Sequence, residues 1–232
     1  MEYLHIFDHC MMASEIEREI AVHDYCVNTF EYDYSFGDYS FSVLGPILDK
    51  KAACEGISKF VKLALDYLKV ENIVVFGKAI DPVNGSKPER HAWNIVYVDG
   101  SPYHLDVTFD MTIKKRINRY DYFNLSDDDI KREHTIINTL PTCSAQGNDY
   151  YSKKEMTVNS PTELSNYIAN CLKRGERDIV IKLRNVKDRE NVVDKVLDIA
   201  RQQHNEINMY RKNTAINITY NPSQLVFELN FR

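Results

Sequence analysis

Apolar positions recur at helical spacing in some stretches of the chain and alternate with polar ones in others. From Ile57 they run Ile57, Phe60, Val61, Ala64, Leu65 and Leu68, one stripe down a helix. Ser14 and Glu17 have the spacing of a capping box, and the helix they open carries Ile16, Ile20, His23, Val27 and Phe30 along one side. His23 belongs to that stripe, so it is expected to be a satisfied core histidine. Residues 91–98 and 101–110 alternate on either side of Asp99-Gly100, the strongest short hairpin signal. With those two residues as the turn, Val98 faces Ser101 and Trp93 faces Asp106. Asp106 then lies diagonally across from His91 on one face. The other face, with Ala92, Val96, Val98, Tyr103, Leu105, Val107 and Phe109, reads as the core side.

Between these elements the pattern is weaker. Residues 31–46 are aromatic and polar without a helical period and read as a long loop; residues 73–77 read as a buried strand. The 79–90 loop holds Pro82, Gly85 and Pro88, and nothing in it suggests a substrate pocket. His104 is expected at the surface toward the hairpin turn. Ser126 and the acidic run Asp127 to Asp129 predict a capped short helix ending near His134, with no need for a metal. Residues 141–149 have the composition of a linker.

Past the linker, a strand at 156–158 precedes a second capping box, Ser160 with Glu163, and a helix carrying Leu164, Tyr167, Ile168, Cys171 and Leu172. A strand at 178–183, a helix at 188–204 and strands at 215–220 and 225–231 follow. This β-α-β-α-β-β order predicts a small sheet with helices on one face. It shows no catalytic constellation.

A length of 232 residues suits one domain with a small second one, and the charge balance suggests where they divide. Residues 1–150 hold 15 Lys and Arg against 24 Asp and Glu, whereas residues 151–232 hold 14 against 10. We therefore expect domains at 1–150 and 151–232. The net charge of −5 argues against a general nucleic-acid binder. The cysteines at 10, 26, 54, 143 and 171 form no CxxC pair and no metal spacing, which fits a reducing compartment. The first residues lack the pattern of a signal peptide, and no apolar run reaches the length of a membrane span, so a cytoplasmic protein is expected.

One cysteine changes this picture. Cys54 falls in the first turn of the helix whose stripe begins at Ile57, beside Lys50 and Lys51. Unpaired first-turn N–H groups and the helix dipole both favour a thiolate there. A small buried hydrophobe is the alternative for a lone cysteine. The hairpin, however, offers an imidazole and a carboxylate on one face, the base and orienting acid that a thiol nucleophile needs.

The motifs CEG (54–56), HAWN (91–94) and YHLDVTFD (103–110), in this order, resemble the transglutaminase-like cysteine superfamily in its bacterial type, with a papain-like Cys-His-Asp triad. The resemblance covers roughly residues 14–125, and VHDYCVNTFEYD at 22–33 is similar to the helix preceding the nucleophile in many such proteins. It implies Cys54 as nucleophile, His91 as general base and acid, and Asp106 as orienting carboxylate, with Asp110 the competitor for that third place. The fold implied is α+β, a transglutaminase-like core with the nucleophile at a helix N-terminus on an antiparallel sheet, plus the small C-terminal unit. The function implied is acyl transfer through a Cys54 thioester, by hydrolysis or transamidation, on a protein or peptide. Tyr39 or a neighbour is expected to help hold an oxyanion, and Trp93 to shield the site or meet substrate. No cofactor, metal, nucleic acid or membrane is expected, and the oligomeric state is not indicated. The rival readings are a catalytically silent binding or scaffold protein, and a zinc site on Cys54, His91 and Asp106.

Overall fold

Ser14 caps the first long helix, α1 (Glu15–Thr29), through the reciprocal capping box its spacing with Glu17 predicts. A computed structural model describes residues 2–83, 85–207 and 215–232, which form two compact units, Met1–Tyr150 and Tyr151–Arg232. After α1 the chain pairs strand β1 (Glu31–Tyr32) in parallel with β2 (Lys51–Ala52), placing Tyr32 opposite Ala52. This brings the two ends of the long loop together just ahead of α2 (Cys54–Tyr67). The stripe from Ile57 to Leu68 is wholly buried, as its period requires.

The sheet beside α2 has the order β5-β4-β3-β6, from β3 (Asn72–Ala79), β4 (Glu89–Val98), β5 (Ser101–Leu105) and β6 (His134–Ile136), all antiparallel. The β4–β5 turn sits at Asp99-Gly100, both with positive φ, and Val98 faces Ser101. Two expectations need correction here. The second strand ends at Leu105, because the Asp106 side chain accepts the Phe109 N–H at 3.0 Å and so caps a helix, α3 (Val107–Ile113). The hairpin is also covered on both faces. On one side α2 packs against β4, and Asn94 Nδ2 donates to the Ser58 carbonyl at 3.1 Å. On the other, Trp93 and Ile95 of β4 pack with Val75, Leu140 and Cys143.

Residues 141–149 are therefore no plain linker. Cys143 is buried, and its carbonyl accepts the Asp127 N–H at 2.8 Å. The short helix α4 (Asp127–Ile130) is capped by Ser126 as expected, but His134 opens a strand, β6, that pairs with β3.

A single turn, α5 (Tyr150–Lys153), leads into the second unit. There β7 (Thr157–Val158), α6 (Pro161–Lys173), β8 (Asp178–Leu183), α7 (Val192–Ile207), β9 (Ile216–Asn221) and β10 (Val226–Phe231) follow in turn. The sheet order is β7-β8-β10-β9, with β7 parallel to β8 and the rest antiparallel. Leu164, Ile168 and Cys171 of α6 and Val192, Val196 and Ala200 of α7 share one core with alternate residues of β8 and β10. No helix among the described residues is long and apolar enough to cross a membrane.

Candidate active site

Cys54 is the first residue of α2, and Ala53 before it offers no side-chain cap to compete for the first-turn N–H groups. Two residues on, Gly56 is required by packing. A Cβ there would lie 2.4 Å from the Ser40 carbonyl oxygen and 3.0 Å from that of Ser42. The long loop thus rests directly on the turn that carries the thiol. It is tied down by the Ala53 N–H donating to the Ser40 carbonyl at 2.9 Å and by Lys59 donating to that of Phe41 at 2.9 Å. Inside the loop, the Asp33 carboxylate accepts from the N–H groups of Ser35 and Gly37, each at 3.0 Å, and from the Ser40 hydroxyl.

His91, near the start of β4, lies beside the Cys54 thiol and perturbs its titration. Its Nε2 meets Asp106 Oδ2 at 2.6 Å, which leaves Nδ1 for the sulfur. Asp106 is wholly buried and fully engaged: Oδ1 takes the Phe109 N–H, and Oδ2 also meets His134 Nε2 at 2.9 Å. His134 Nδ1 is buried without a described hydrogen-bond partner. Asp110 stands elsewhere. It meets His23 Nε2 at 3.1 Å and accepts the Tyr122 N–H at 3.1 Å, serving α1 and not His91.

The electrostatics follow from this packing. Burial pushes the Asp106 carboxyl up, but the His91 charge and the two imidazole donors hold it far below the usual range, so it stays ionised. Burial works against a charged His91, yet the charge and hydrogen bond of Asp106 outweigh it and raise His91 to about 10. Cys54 is raised by burial and lowered by the His91 hydrogen bond, its charge and the Ala92 N–H, with a net fall. A raised imidazole beside a lowered thiol favours the thiolate–imidazolium pair over the neutral one.

Tyr32 adds a group the loop pattern did not single out. Its hydroxyl lies near Cys54, close enough for the two groups to perturb one another. Burial, then the neighbouring Cys54 charge, raise its pKa, so it remains a protonated donor. Tyr39, named for this role from the sequence, is 44% exposed. The difference arises because β1 pairs with β2 just before the nucleophile, a contact between distant segments that no local period reveals.

Trp93 lies buried behind the site. It stacks on His91 with centroids 6.1 Å apart, and its indole N–H donates to His104 Nδ1 at 3.0 Å. His104 in turn meets Asp127 at 2.9 Å and is fully buried, so it is no surface histidine. Trp93 thus supports the imidazole from behind and does not line the cleft.

Two groups have metal-ligating residue types: His91, Asp106 and His134, and His104, Asp127 and Cys143. In the first, nitrogen and oxygen are 2.6 and 2.9 Å apart. Ligands sharing a tetrahedral zinc stand roughly 3.3 Å apart, so these are hydrogen-bond separations. In the second, His104 accepts from Trp93 on one nitrogen and donates from the other, and burial pushes the Cys143 thiol up to about 12. Both sets fit hydrogen bonding better than a cation.

A cleft of about 270 Å³ opens beside His91. Tyr32, Tyr34 and Phe36 form one wall, Lys87, Glu89 and Arg90 line another part, and Thr108 and Phe109 also border it. The 79–90 loop, which showed no pocket in the sequence, therefore supplies a wall of this one; its Asn84 lies outside the described residues.

No family model matches the chain, and no curated protein matches it. Solved structures that overlap it in part include a candidate cysteine protease from Cytophaga hutchinsonii, with 20% identity and a TM-score of 0.34 over 39% of this chain and 30% of that one. Another is a TGase (transglutaminase), with 23% identity and a TM-score of 0.40 over 52% of this chain and 34% of that one. The chain thus spans about a third of the length of either. The architecture is mixed α+β, and the functional reading rests on the geometry of the site.

Proposed function

We propose that residues 1–150 form a cysteine-dependent acyl-transfer enzyme of transglutaminase-like type, with Cys54 as nucleophile, His91 as general acid and base, and Asp106 as orienting carboxylate. The observation that carries this reading is the His91 imidazole held between the Cys54 thiol and the ionised, buried Asp106. The thiolate adds to an amide carbonyl carbon, and the carbonyl π electrons move to oxygen. The Cys54 N–H and the Tyr32 hydroxyl meet that oxyanion. His91 gives its proton to the leaving nitrogen as the C–N bond breaks, leaving a thioester. His91 then takes a proton from the acceptor as it attacks, and the thiolate departs. The cleft beside His91 has charged groups on one wall, which keeps it hydrated and favours water as acceptor over an amine. A protein or peptide amide hydrolase is the reading these features support best.

The test is Cys54 alkylation by iodoacetamide against pH, read by mass spectrometry in the wild type and in His91→Ala. Cys54 should label selectively among the five cysteines, with an apparent pKa below the free thiol's roughly 8.5. His91→Ala should abolish that depression. Labelling no faster than at Cys10 or Cys143 would sink the proposal.

A further inference from the structure

On the loop that rests against the nucleophile helix, three aromatic side chains are turned outward. Tyr34 is 72% exposed, Phe36 55% and Phe41 48%. They are connected. The Tyr32 ring, whose hydroxyl lies near Cys54, is 4.8 Å from the Tyr34 ring. Tyr34 and Phe36 line the cleft with His91, and Phe36 stacks on Phe41 at 5.6 Å with the planes 17° apart. An aromatic ladder thus runs from the reacting sulfur to solvent.

Two features show that the outward placement is held and not incidental. Asp33 and the contacts to Ala53 and Lys59 fix the loop in place. Within it, Phe36 takes a left-handed backbone conformation, φ 51°, although a glycine follows at 37 and is not in that region. Left-handed backbone is unfavourable for a bulky residue, and such strain gathers at functional positions. Here it presents the ring to the cleft and to Phe41.

We infer that this ladder recognises the substrate of the proposed cysteine enzyme, a polypeptide with a bulky apolar side chain next to the reactive carbonyl. The inference rests on that reading of the site. The apolar wall suits such a side chain. The facing loop, with Lys87, Glu89 and Arg90, carries charges of both signs, which suits a polypeptide's polar backbone and side chains better than a lipid or a hydrocarbon ester.

The experiment compares two alkylating probes on the full chain, acetyl-Ala-Phe and acetyl-Ala-Ser chloromethyl ketones. In each, the Cys54 thiolate displaces chloride from the methylene carbon and forms a thioether. The Phe probe is expected to label Cys54 roughly ten- to a hundredfold faster than the Ser probe. The ratio should fall toward one in the Phe36→Ser, Phe41→Ser double variant. If that variant loses its far-UV dichroism, Phe41→Ser alone should still lower the ratio severalfold, since that ring is already half in solvent. The ratio compares two probes at one thiol, so it reads recognition whether or not the thiol is activated. The iodoacetamide pH profile of the wild type reads activation separately. A ratio near one in the wild type, or one unmoved by the substitutions, overturns the inference and assigns the ladder to some other contact, such as a second copy of the chain. A high ratio at an unactivated thiol would leave recognition standing and overturn the enzyme.

Discussion

At the scale of single residues, the distinction between activating the thiol and stabilising the transition state falls on different side chains. In the proposed mechanism His91 and Asp106 set the charge of Cys54, whereas Tyr32 meets the developing oxyanion. Tyr32→Phe removes one donor and keeps the ring. Acylation of Cys54 by a p-nitrophenyl ester should slow by about 10²-fold, the cost of losing one oxyanion donor. Alkylation by iodoacetamide forms no oxyanion and should change by no more than a few-fold. Equal losses in both reactions would show that Tyr32 acts on the thiol itself. Of the residues that motif and parity singled out, His91 and Asp106 are hydrogen-bonded at 2.6 Å, and Cys54 lies beside His91. Tyr32 and His134 were not legible. One sits in a two-residue strand and the other in a three-residue strand, too short for any period to show.

At the scale of elements, the site depends on how closely the 33–42 loop rides on α2. Gly56 allows that approach, and its neighbours across the gap are two backbone carbonyls and the Ala52 Cβ, none of which can rotate away. Gly56→Ala should therefore destabilise the protein by about 1–3 kcal/mol, as overpacking does. It should also lower the selectivity of Cys54 labelling, because the shifted loop carries Tyr32's neighbours and the cleft wall with it. Urea unfolding with parallel iodoacetamide labelling checks both; an unchanged midpoint would mean that the loop yields freely. The helices α1 and α2 were legible because each has a long apolar stripe and a capping or dipole signal. The end of β5 was not, because Val107 and Phe109 satisfy an alternating pattern and a helical turn equally. Only the cap made by Asp106 decides between them.

At the scale of the molecule, buried ionisable groups give the fold a pH dependence. Burial raises Glu19 to about 8, with Asn124 donating to one of its oxygens and the other without a described partner. Burial opposes a charged His23, but Asp110 and Asp24 raise it to about 9, and His91 rises to about 10. In each case the folded state holds a proton that the unfolded chain has already released. The Glu19 contribution is full below its unfolded pKa of 4.5 and lost as pH rises toward 8. Those of the two histidines are full below 6.5 and lost toward 9 and 10. The thermal midpoint should be highest near pH 5 and fall toward pH 9. Glu19→Gln should flatten that fall, stabilising the protein at pH 9 more than at pH 5. Dichroism melts across this range would refute the assignment if the variant's curve ran parallel to the wild type's.

What the amino-acid order determined by itself is the local part of this protein. It set the helix that carries Cys54 at its start, the Asp99-Gly100 turn with its register, and the parity that puts His91 and Asp106 on one face. These depend on neighbours in sequence, where apolar period, turn chemistry and capping act over a few residues. Tertiary structure alone decided which tyrosine reaches the thiol, that His134 braces Asp106 from β6, that the 79–90 loop walls the cleft, and that residues 141–149 cover the sheet. Each of these contacts joins segments far apart in the chain. Its free energy comes from burial and hydrogen bonding realised only once the sheet has formed, which leaves no periodic trace in the residues that make it.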